Sequence, residues 1–189
     1  DSTDFIFMGD NGNTIRTAQI MNTARAKGTI YQYGVRIPFL ISGPSVNNPG
    51  RRSKALVNTA DLFATILEMF GFYNWPSQIP AGKPVDSRSL MPVLQNTATD
   101  VRPWAFTEIF KLTPDANDGK TMRNAAYKLL RFDNGTEEFY NLATDPDETN
   151  NLLTGTLNSS ERSNYQYLCN EMTTLVGTGD LCPNSTATG

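Results

Sequence analysis

The sequence contains no histidine, and this absence excludes two common kinds of catalytic centre. Without histidine, the chain cannot build a Ser-His-Asp triad or a histidine-rich zinc site by itself. No apolar run approaches the roughly 20 residues that a membrane span needs. Positive charge is not in excess either, because 16 Lys and Arg residues stand against 19 Asp and Glu residues, a formal net charge of −3. This balance argues against nucleic acid or an anionic membrane as the main partner.

Cysteine is also scarce, and its two copies, Cys169 and Cys182, lie near the C-terminal end. No second pair lies between them, so a zinc cage of four cysteines is excluded. A disulfide between the two would close a small loop, which suits an exported protein. Two free thiols fit the same sequence, because spacing does not show whether the sulfur atoms approach each other. Both interpretations stay open.

What the sequence does contain is typical of a globular chain. Its 189 residues suffice for one domain, and 39% hydrophobic with 19% charged residues is a globular balance. The chain starts with Asp1, and an apolar run over residues 4–9 follows almost at once. Such a run predicts a strand buried on both faces, which needs parallel neighbours. Since nothing before it supplies them, we expect a longer natural chain.

Apolar spacing and turn residues predict an α/β part over residues 1–100 and a small antiparallel β subdomain with a C-terminal helix over residues 101–189. The clearest helix carries a stripe of apolar side chains that is predicted to face the core. This stripe consists of Leu62, Phe63, Ile66, Leu67 and Phe70. The predicted elements after the first strand are a strand at 35–41 that effectively starts after Pro38, a helix at 58–70, a short helix or turn at 87–94, a strand at 104–110, strands at 122–132 and 137–142 joined by a turn at 133–136, and a helix at 159–176.

Asp10 and Asn11 follow directly after the first predicted strand. In open α/β sheets, ligands bind beyond the carboxyl ends of the strands. A carboxylate beside an amide oxygen offers hard donors, which suit Ca²⁺ or Mg²⁺ rather than zinc. The same residues together with Gly12 also fit an ordinary turn, so on these residues alone a metal site and a plain turn are both open.

Lys27 lies in the segment Ala26-Lys27-Gly28-Thr29. A lysine ammonium beside glycine can approach an oxyanion without steric obstruction. A solvated surface lysine is the alternative for this position.

Taken together, the two segments resemble the type I sulfatases of the alkaline phosphatase superfamily. In that family a strand ends in Asp-Asn-Gly, and a Lys-Gly-Thr-x-Tyr-Glu-Gly-Gly-Val-Arg-x-Pro segment follows. The corresponding stretches here are residues 10–12 and 27–38. The chain departs from the pattern at Gln32 and Tyr33, where the family usually has Glu and Gly.

The resemblance continues in the family's order over about residues 4–153. The matching stretches are Asp61-Leu62-Phe63-Ala64-Thr65-Ile66-Leu67, in which Ala64 replaces a proline, Asp86-Ser87-Arg88-Ser89-Leu90, Tyr127-Lys128-Leu129, Phe139-Tyr140-Asn141-Leu142, and Asp145-Pro146-Asp147-Glu148 with Asn151-Leu152. Each motif is weak alone, but their common order is specific. The resemblance implies part of an alkaline-phosphatase-like sandwich with a small C-terminal antiparallel sheet and a helix.

The resemblance also implies roles for three residues. Asp10 and Asn11 match the pair that supplies two ligands of the active-site Ca²⁺, a place that Mg²⁺ could also take. Lys27 matches the lysine that holds a sulfate oxygen, which is both a catalytic and a substrate-binding role. A divalent cation and an ammonium group would together neutralise the oxygens around sulfur as the ester bond breaks.

The family's nucleophile, a formylglycine made within a Cys/Ser-x-Pro-x-Arg motif, has no match in this chain. Neither cysteine fits, and Ser42-Gly43-Pro44 is followed by Val46 where the arginine should stand. The resemblance therefore predicts a sulfuric ester hydrolase whose nucleophile, remaining metal ligands and catalytic histidine lie in a missing N-terminal part. These residues alone should be inactive.

The expected partners are that N-terminal part and a sulfate-ester substrate, and the expected location is periplasmic or extracellular. A phosphodiesterase or phosphonate hydrolase of the same superfamily is one alternative function. A non-catalytic binding module is the other.

Overall fold

The computed structural model describes residues 2–19, 22–113 and 115–177. In chain order the elements are β1 (Phe5–Met8), α1 (Gln32–Val35), β2 (Phe39–Ser42), α2 (Asp61–Met69), α3 (Met91–Leu94), β3 (Ala105–Ile109), β4 (Gly119–Arg123), β5 (Tyr127–Phe132), β6 (Glu137–Asn141) and α4 (Ser159–Val176), with 3₁₀ turns at Thr23–Arg25, Trp75–Gln78 and Leu152–Thr154. This is the mixed α/β content with a C-terminal helix that the sequence predicts.

The chain forms two compact units, and each is built from two separate stretches. The first unit comprises Asp1–Met8 and Pro38–Ala105, and the second comprises Gly9–Ile37 and Phe106–Gly189. The predicted division at residue 100 concerns the domains of a whole protein, and it stays a prediction.

The first unit contains a two-stranded antiparallel sheet of β1 and β2. β2 begins directly after Pro38, as predicted, because proline lacks the N–H that a ladder needs. The prediction of a strand buried on both faces between parallel neighbours is wrong for this chain. β1 pairs antiparallel, and Phe5 and Phe7 are 70% and 63% exposed. The physical reason is that an apolar run indicates a strand without telling which strands pair with it or what covers its faces.

Helix α2 is the helix predicted over residues 58–70, but the prediction about its buried face is wrong. Three residues of the apolar stripe are exposed, namely Phe63, Ile66 and Phe70. The buried face instead carries Asp61 and Thr65, whose side chains accept hydrogen bonds from the backbone N–H groups of Arg88 and Leu90, each at 2.9 Å. These bonds satisfy the polar groups and hold that face inward.

The second unit is organised around a four-stranded sheet in the order β3-β4-β5-β6, in which β5 pairs antiparallel with both β4 and β6. The predicted turn at 133–136 joins β5 and β6, which confirms the hairpin. The prediction of one strand over residues 122–132 is wrong, because a turn at Asn124 separates β4 from β5. The side-chain oxygen of Asn124 accepts hydrogen bonds from the backbone N–H groups of Ala126 and Tyr127, at 3.0 and 2.7 Å, and this arrangement fixes the turn.

Helix α4 has the bounds that the sequence predicts. A capping box of Asn158 and Glu161 fixes its start, since each side chain accepts a hydrogen bond from the other residue's backbone N–H. The helix packs on the sheet, where the ring of Tyr165 meets the ring of Phe139 edge-on at 5.6 Å. Cys169 is buried in this helix, whereas Cys182 lies outside the described residues, so whether the two form a disulfide stays open.

The core of the second unit includes two residues of the Lys-Gly-Thr segment. Ile30 and Tyr31 are buried against the sheet residues Leu130, Phe132 and Tyr140. The segment around Lys27 is therefore fixed to the sheet by apolar packing as well as by hydrogen bonds. No helix in the described part of the chain is long and apolar enough to cross a membrane.

Candidate active site

The structure places Asp10, Asn11 and Lys27 in the second unit. Asp10 and Lys27 are exposed, and Asn11 is half-buried. Among residues 2–19, 22–113 and 115–177, none of these three side chains makes a hydrogen bond or an ion pair. The carboxylate of Asp10, the amide of Asn11 and the ammonium group of Lys27 are therefore free to bind a ligand. The two segments that carry them lie next to each other in the second unit.

Backbone hydrogen bonds bring the two predicted segments together. The N–H of Lys27 donates to the carbonyl of Asn13 at 2.7 Å, two residues beyond Asn11. The N–H groups of Gly12 and Asn13 donate to the carbonyls of Gly34 and Tyr33, at 2.9 and 2.8 Å. The two residues that directly follow Asp10 and Asn11 are thus bonded to the segment that carries Lys27, although about 16 residues separate the two segments in the sequence.

Close backbone packing leaves no room for a side chain at Gly12, where the two segments meet, or at Gly34, within the segment that carries Lys27. A Cβ at Gly12 would lie 2.1 Å from the carbonyl oxygen of Tyr33, and one at Gly34 would lie 2.2 Å from that of Thr29. Both glycines are buried. Glycine is required at these positions because backbones approach each other there, as in other tightly packed loops.

We expect Gly12→Ala to destabilise the protein by about 1–3 kcal/mol, the cost of forcing atoms into a packed site. It should also disturb activity, because it pushes the Asp10–Asn11 turn away from Lys27. Gly155→Ala is the matched control in the same unit, since a Cβ there meets no atom closer than 4.0 Å. Thermal unfolding of both variants tests this expectation, and equal melting temperatures would contradict it.

Glu148 binds both ends of the segment that carries Lys27. The Arg25 guanidinium donates to the backbone carbonyl of Glu148, and the Glu148 carboxylate accepts the N–H of Gln32 at 2.6 Å. Gln32 is the first residue of α1, so the carboxylate also satisfies a free N–H at a helix start. Glu148, which is distant in the sequence, therefore holds residues 25–32 at both ends. We call residues 25–32 the Lys27 loop.

The carboxylate of Glu148 also pairs with Lys128 inside the unit. Their charged atoms lie 2.7 Å apart, and each side chain is only 1% exposed. Lys128 belongs to β5, in which all six residues are buried, and its Nζ lies 3.4 Å from the side-chain oxygen of Gln32. Burial lowers the pKa of the Lys128 ammonium to about 8, and the charge of Glu148 opposes this shift.

This lowered pKa makes stability depend on pH in a defined direction. The folded protein loses the Lys128 proton near pH 8 and the unfolded chain keeps it until near its ordinary pKa of 10.5, so the unfolded state binds more protons in between. Below about pH 8 the buried Lys128 is charged, so the folded state bears the full cost of burying that charge. As the pH rises from about 8 towards 10.5, this cost is removed and the free energy of unfolding increases. Compared with Lys128→Met/Glu148→Gln, which lacks both charges, the wild type should gain melting temperature from about pH 7.5 to about pH 9.5. Parallel pH profiles would contradict this.

Arg25 is held by a cluster of aromatic and acidic side chains. Its guanidinium lies over the ring of Tyr31, 4.3 Å from the centroid, and 3.9 Å from the carboxylate of Glu138. The hydroxyls of Tyr31 and Tyr140 both donate to that carboxylate, at 2.7 and 2.6 Å. Burial, followed by the hydrogen bond to Glu138, raises the pKa of both tyrosines far above the ordinary value, so they stay protonated donors at neutral pH.

Sequence reasoning missed the residues that hold the Lys27 loop. Lys128 and Glu148 stand inside stretches that were matched as motifs, but no role was assigned to them. A signal did exist: a lysine between the apolar residues Tyr127 and Leu129 of a strand predicts a buried charge, and a buried charge needs a partner. The identity of that partner, 20 residues further on, becomes visible only in the folded chain.

The donor set at the Asp10–Asn11 turn fits a hard cation, but it is a partial set. One carboxylate and one amide provide two of the roughly six to eight oxygens that Ca²⁺ takes. The described residues contain no group of three or more His, Cys, Asp or Glu that could hold a metal ion. The Asp10–Asn11 turn and Lys27 together offer two ligands for a cation and one ammonium group, and both kinds of positive charge suit an anionic ester.

Comparison with known proteins identifies the family. Residues 25–175 match the family described as N-sulphoglucosamine sulphohydrolase, C-terminal. A sulfatase from Formosa agariphila is 30% identical over 167 residues, which cover 81% of this chain and 29% of that protein. Arylsulfatase K from Xenopus laevis is 31% identical over 138 residues, which cover 67% of this chain and 24% of that protein. The chain thus spans less than a third of the length of these curated relatives.

Solved structures agree on the fold. A protein whose structure was solved in complex with its substrate D-glucosamine-2-N,6-O-disulfate matches 90% of this chain and 34% of its own, with a TM-score of 0.71 at 22% identity. A 2-O GAG sulfatase matches 91% of this chain and 36% of its own with a TM-score of 0.69, at 21% identity. The fold is that of the alkaline-phosphatase-like sulfatases. Since the family match covers most of the sequence, this chain belongs to the sulfatases and corresponds to their C-terminal portion.

Proposed function

We propose that the protein containing this chain hydrolyses sulfate esters, and that Asp10, Asn11 and Lys27 line its active site. The proposal rests on the arrangement of these three residues. Backbone hydrogen bonds hold the Asp10–Asn11 turn beside the segment of Lys27, and none of the three side chains has a partner among the described residues. A cation ligand set beside an ammonium group is suited to an ester that carries negative charge on several oxygens. Family membership supports the same reaction class.

Each residue would have a separate task. Asp10 and Asn11 would hold Ca²⁺, or Mg²⁺ in its place, through their side-chain oxygens. That cation would supply electrostatic stabilisation of the oxygens on sulfur. Lys27 would donate a charge-assisted hydrogen bond to a sulfate oxygen and so orient the ester and stabilise the charge that develops as the bond to the leaving group breaks.

The remaining parts of the site are proposed to lie in the longer protein. These are the formylglycine nucleophile, the other metal ligands and the catalytic histidine. These 189 residues are accordingly proposed to be inactive by themselves. A periplasmic or extracellular location is part of the same proposal, and the length of the curated relatives supports the existence of a longer protein.

The test is hydrolysis by the full-length protein of para-nitrophenyl sulfate, bis(para-nitrophenyl) phosphate and a phenylphosphonate ester, with and without a chelator. The proposal predicts that the sulfate ester has the highest kcat/KM and that chelation abolishes its turnover. A preference for the phosphodiester or the phosphonate ester would make the protein a phosphodiesterase or phosphonate hydrolase instead. No turnover of any ester, together with no Cys/Ser-x-Pro-x-Arg motif in the full-length sequence, would favour a non-catalytic binding module.

A further inference from the structure

The Lys27 loop is bound at both of its ends by Glu148. Arg25, two residues before Lys27, donates to the Glu148 carbonyl, and the N–H of Gln32, five residues after Lys27, donates to the Glu148 carboxylate. Between these points, Lys27 itself is exposed and its ammonium group has no partner among the described residues. The two anchors, together with the hydrogen bond from the Lys27 N–H to the Asn13 carbonyl, therefore limit where the Lys27 backbone can lie, and no described residue bonds its side chain.

The conformation of Glu148 indicates that tertiary contacts impose it. Its φ is +57°, and it is one of three non-glycine residues with positive φ in the described part of the chain. The other two are asparagines, which tolerate this region, whereas a glutamate does not favour it. Such a conformation persists only when the surroundings over-determine it, and it concentrates at functional sites.

The ion pair with Lys128 holds the Glu148 carboxylate in place. Both side chains are 1% exposed, so neither charge is compensated by water. One carboxylate oxygen lies 2.7 Å from the Lys128 ammonium, and the other accepts the N–H of Gln32. The residue at position 32 is glutamine, so its side chain adds no second negative charge near Lys128. The carboxylate thus connects β5 rigidly to the start of α1.

We propose that Glu148, held by Lys128, is a positioning residue that sets the place of Lys27 against the sulfate group. This inference rests on the proposed function and deepens it. Glu148 touches neither substrate nor metal; it acts through the backbone of the Lys27 loop. Misplacing a catalytic group by about 1 Å can cost about 10²-fold in rate.

The experiment is a double-mutant cycle in the full-length protein with Glu148→Gln and Lys27→Ala, assayed on para-nitrophenyl sulfate well below the melting temperatures. Glu148→Gln alone should lower kcat/KM by about 10- to 100-fold. In the Lys27→Ala background it should lower kcat/KM by less than about threefold, because its effect passes through Lys27. If Glu148→Gln acted only through stability, it would lower kcat/KM by the same factor in the wild-type and Lys27→Ala backgrounds.

Glu137→Gln is the matched control, because Glu137 is also a carboxylate whose side chain is only 1% exposed and which is paired with a cation in the same unit, 3.2 Å from Arg131, and it accepts the hydroxyl of Tyr165 in α4. It should lower the melting temperature and leave kcat/KM within about threefold. If Glu148→Gln does not fold, Glu148→Asp serves in its place, since it keeps the charge but is one methylene too short to reach both Lys128 and Gln32.

The outcomes separate this inference from the proposed function. A wild-type protein without sulfatase activity would overturn the proposed function. An active wild type with an additive cycle, or with equal kinetic losses in the Glu148 and Glu137 variants, would overturn the positioning role and leave the function intact. A non-additive cycle with an unaffected Glu137 variant is the result we expect.

Discussion

Lys27→Ala in the full-length protein is expected to lower kcat/KM for a sulfate ester by about 10²- to 10³-fold, the usual loss when one preorganised donor to the developing charge is removed. The loss should fall mainly on kcat, because the interaction strengthens as charge develops on the sulfate oxygens. Stability should not change, since the Lys27 side chain is exposed and has no partner within the described residues.

The control for this variant is Lys83→Ala, another exposed lysine, which lies in the first unit. It should leave both kcat and the melting temperature unchanged. Lys27→Arg should recover only part of the activity, because a planar guanidinium does not occupy the place of a compact ammonium. If Lys27→Ala retained more than about a third of the wild-type kcat/KM, the role assigned to this lysine would be wrong.

Asp61→Asn is expected to have the largest effect on stability, a loss of about 3–5 kcal/mol. The Asp61 carboxylate is fully buried and forms an ion pair with Arg102, itself 7% exposed, while also accepting the backbone N–H groups of Asn58 and Arg88 at 2.8 and 2.9 Å. Removing its charge leaves the guanidinium buried without a counter-ion, and that is what makes the substitution costly.

Asp100→Asn is the comparison for this prediction. Asp100 is exposed and accepts one backbone N–H, that of Leu56 at 3.2 Å, so its replacement should cost less than about 1 kcal/mol. Urea unfolding of the two variants, followed by a probe of the first unit such as Trp75 fluorescence, gives the comparison. Similar midpoints for both variants would mean that the Asp61–Arg102 pair contributes little.

Local signals predicted most of the elements. The turn between β5 and β6 and Pro38 before β2 each fix a boundary through short-range chemistry, and each boundary agrees with the structure. The break at Asn124 was missed because a single asparagine within a predicted strand is a weak turn signal.

Burial was harder to predict than secondary structure. For α2, the apolar stripe predicted that its own face is buried. The face that is buried instead carries Asp61 and Thr65, whose side chains form hydrogen bonds with other parts of the chain. Such partners come from residues 20 or more positions away, and a helical period does not contain that information. The same holds for Lys128 and Glu148, whose pairing depends on the fold of the whole second unit.

For the candidate site, the sequence indicated which residues to consider but not what holds them. Asp10, Asn11 and Lys27 came from motif spacing and a family resemblance. The backbone bonds of Asn13 and Gly34 that join their segments, and the double anchoring by Glu148, were visible only in three dimensions.

A crystal structure of the full-length protein with Ca²⁺ and inorganic sulfate would show which side chains bind the cation and the anion. We expect the side-chain oxygens of Asp10 and Asn11 to bind the cation at about 2.3–2.6 Å and the Lys27 ammonium to donate to a sulfate oxygen at about 2.7–2.9 Å. A cation bound elsewhere, with Lys27 pointing into solvent, would contradict this expectation.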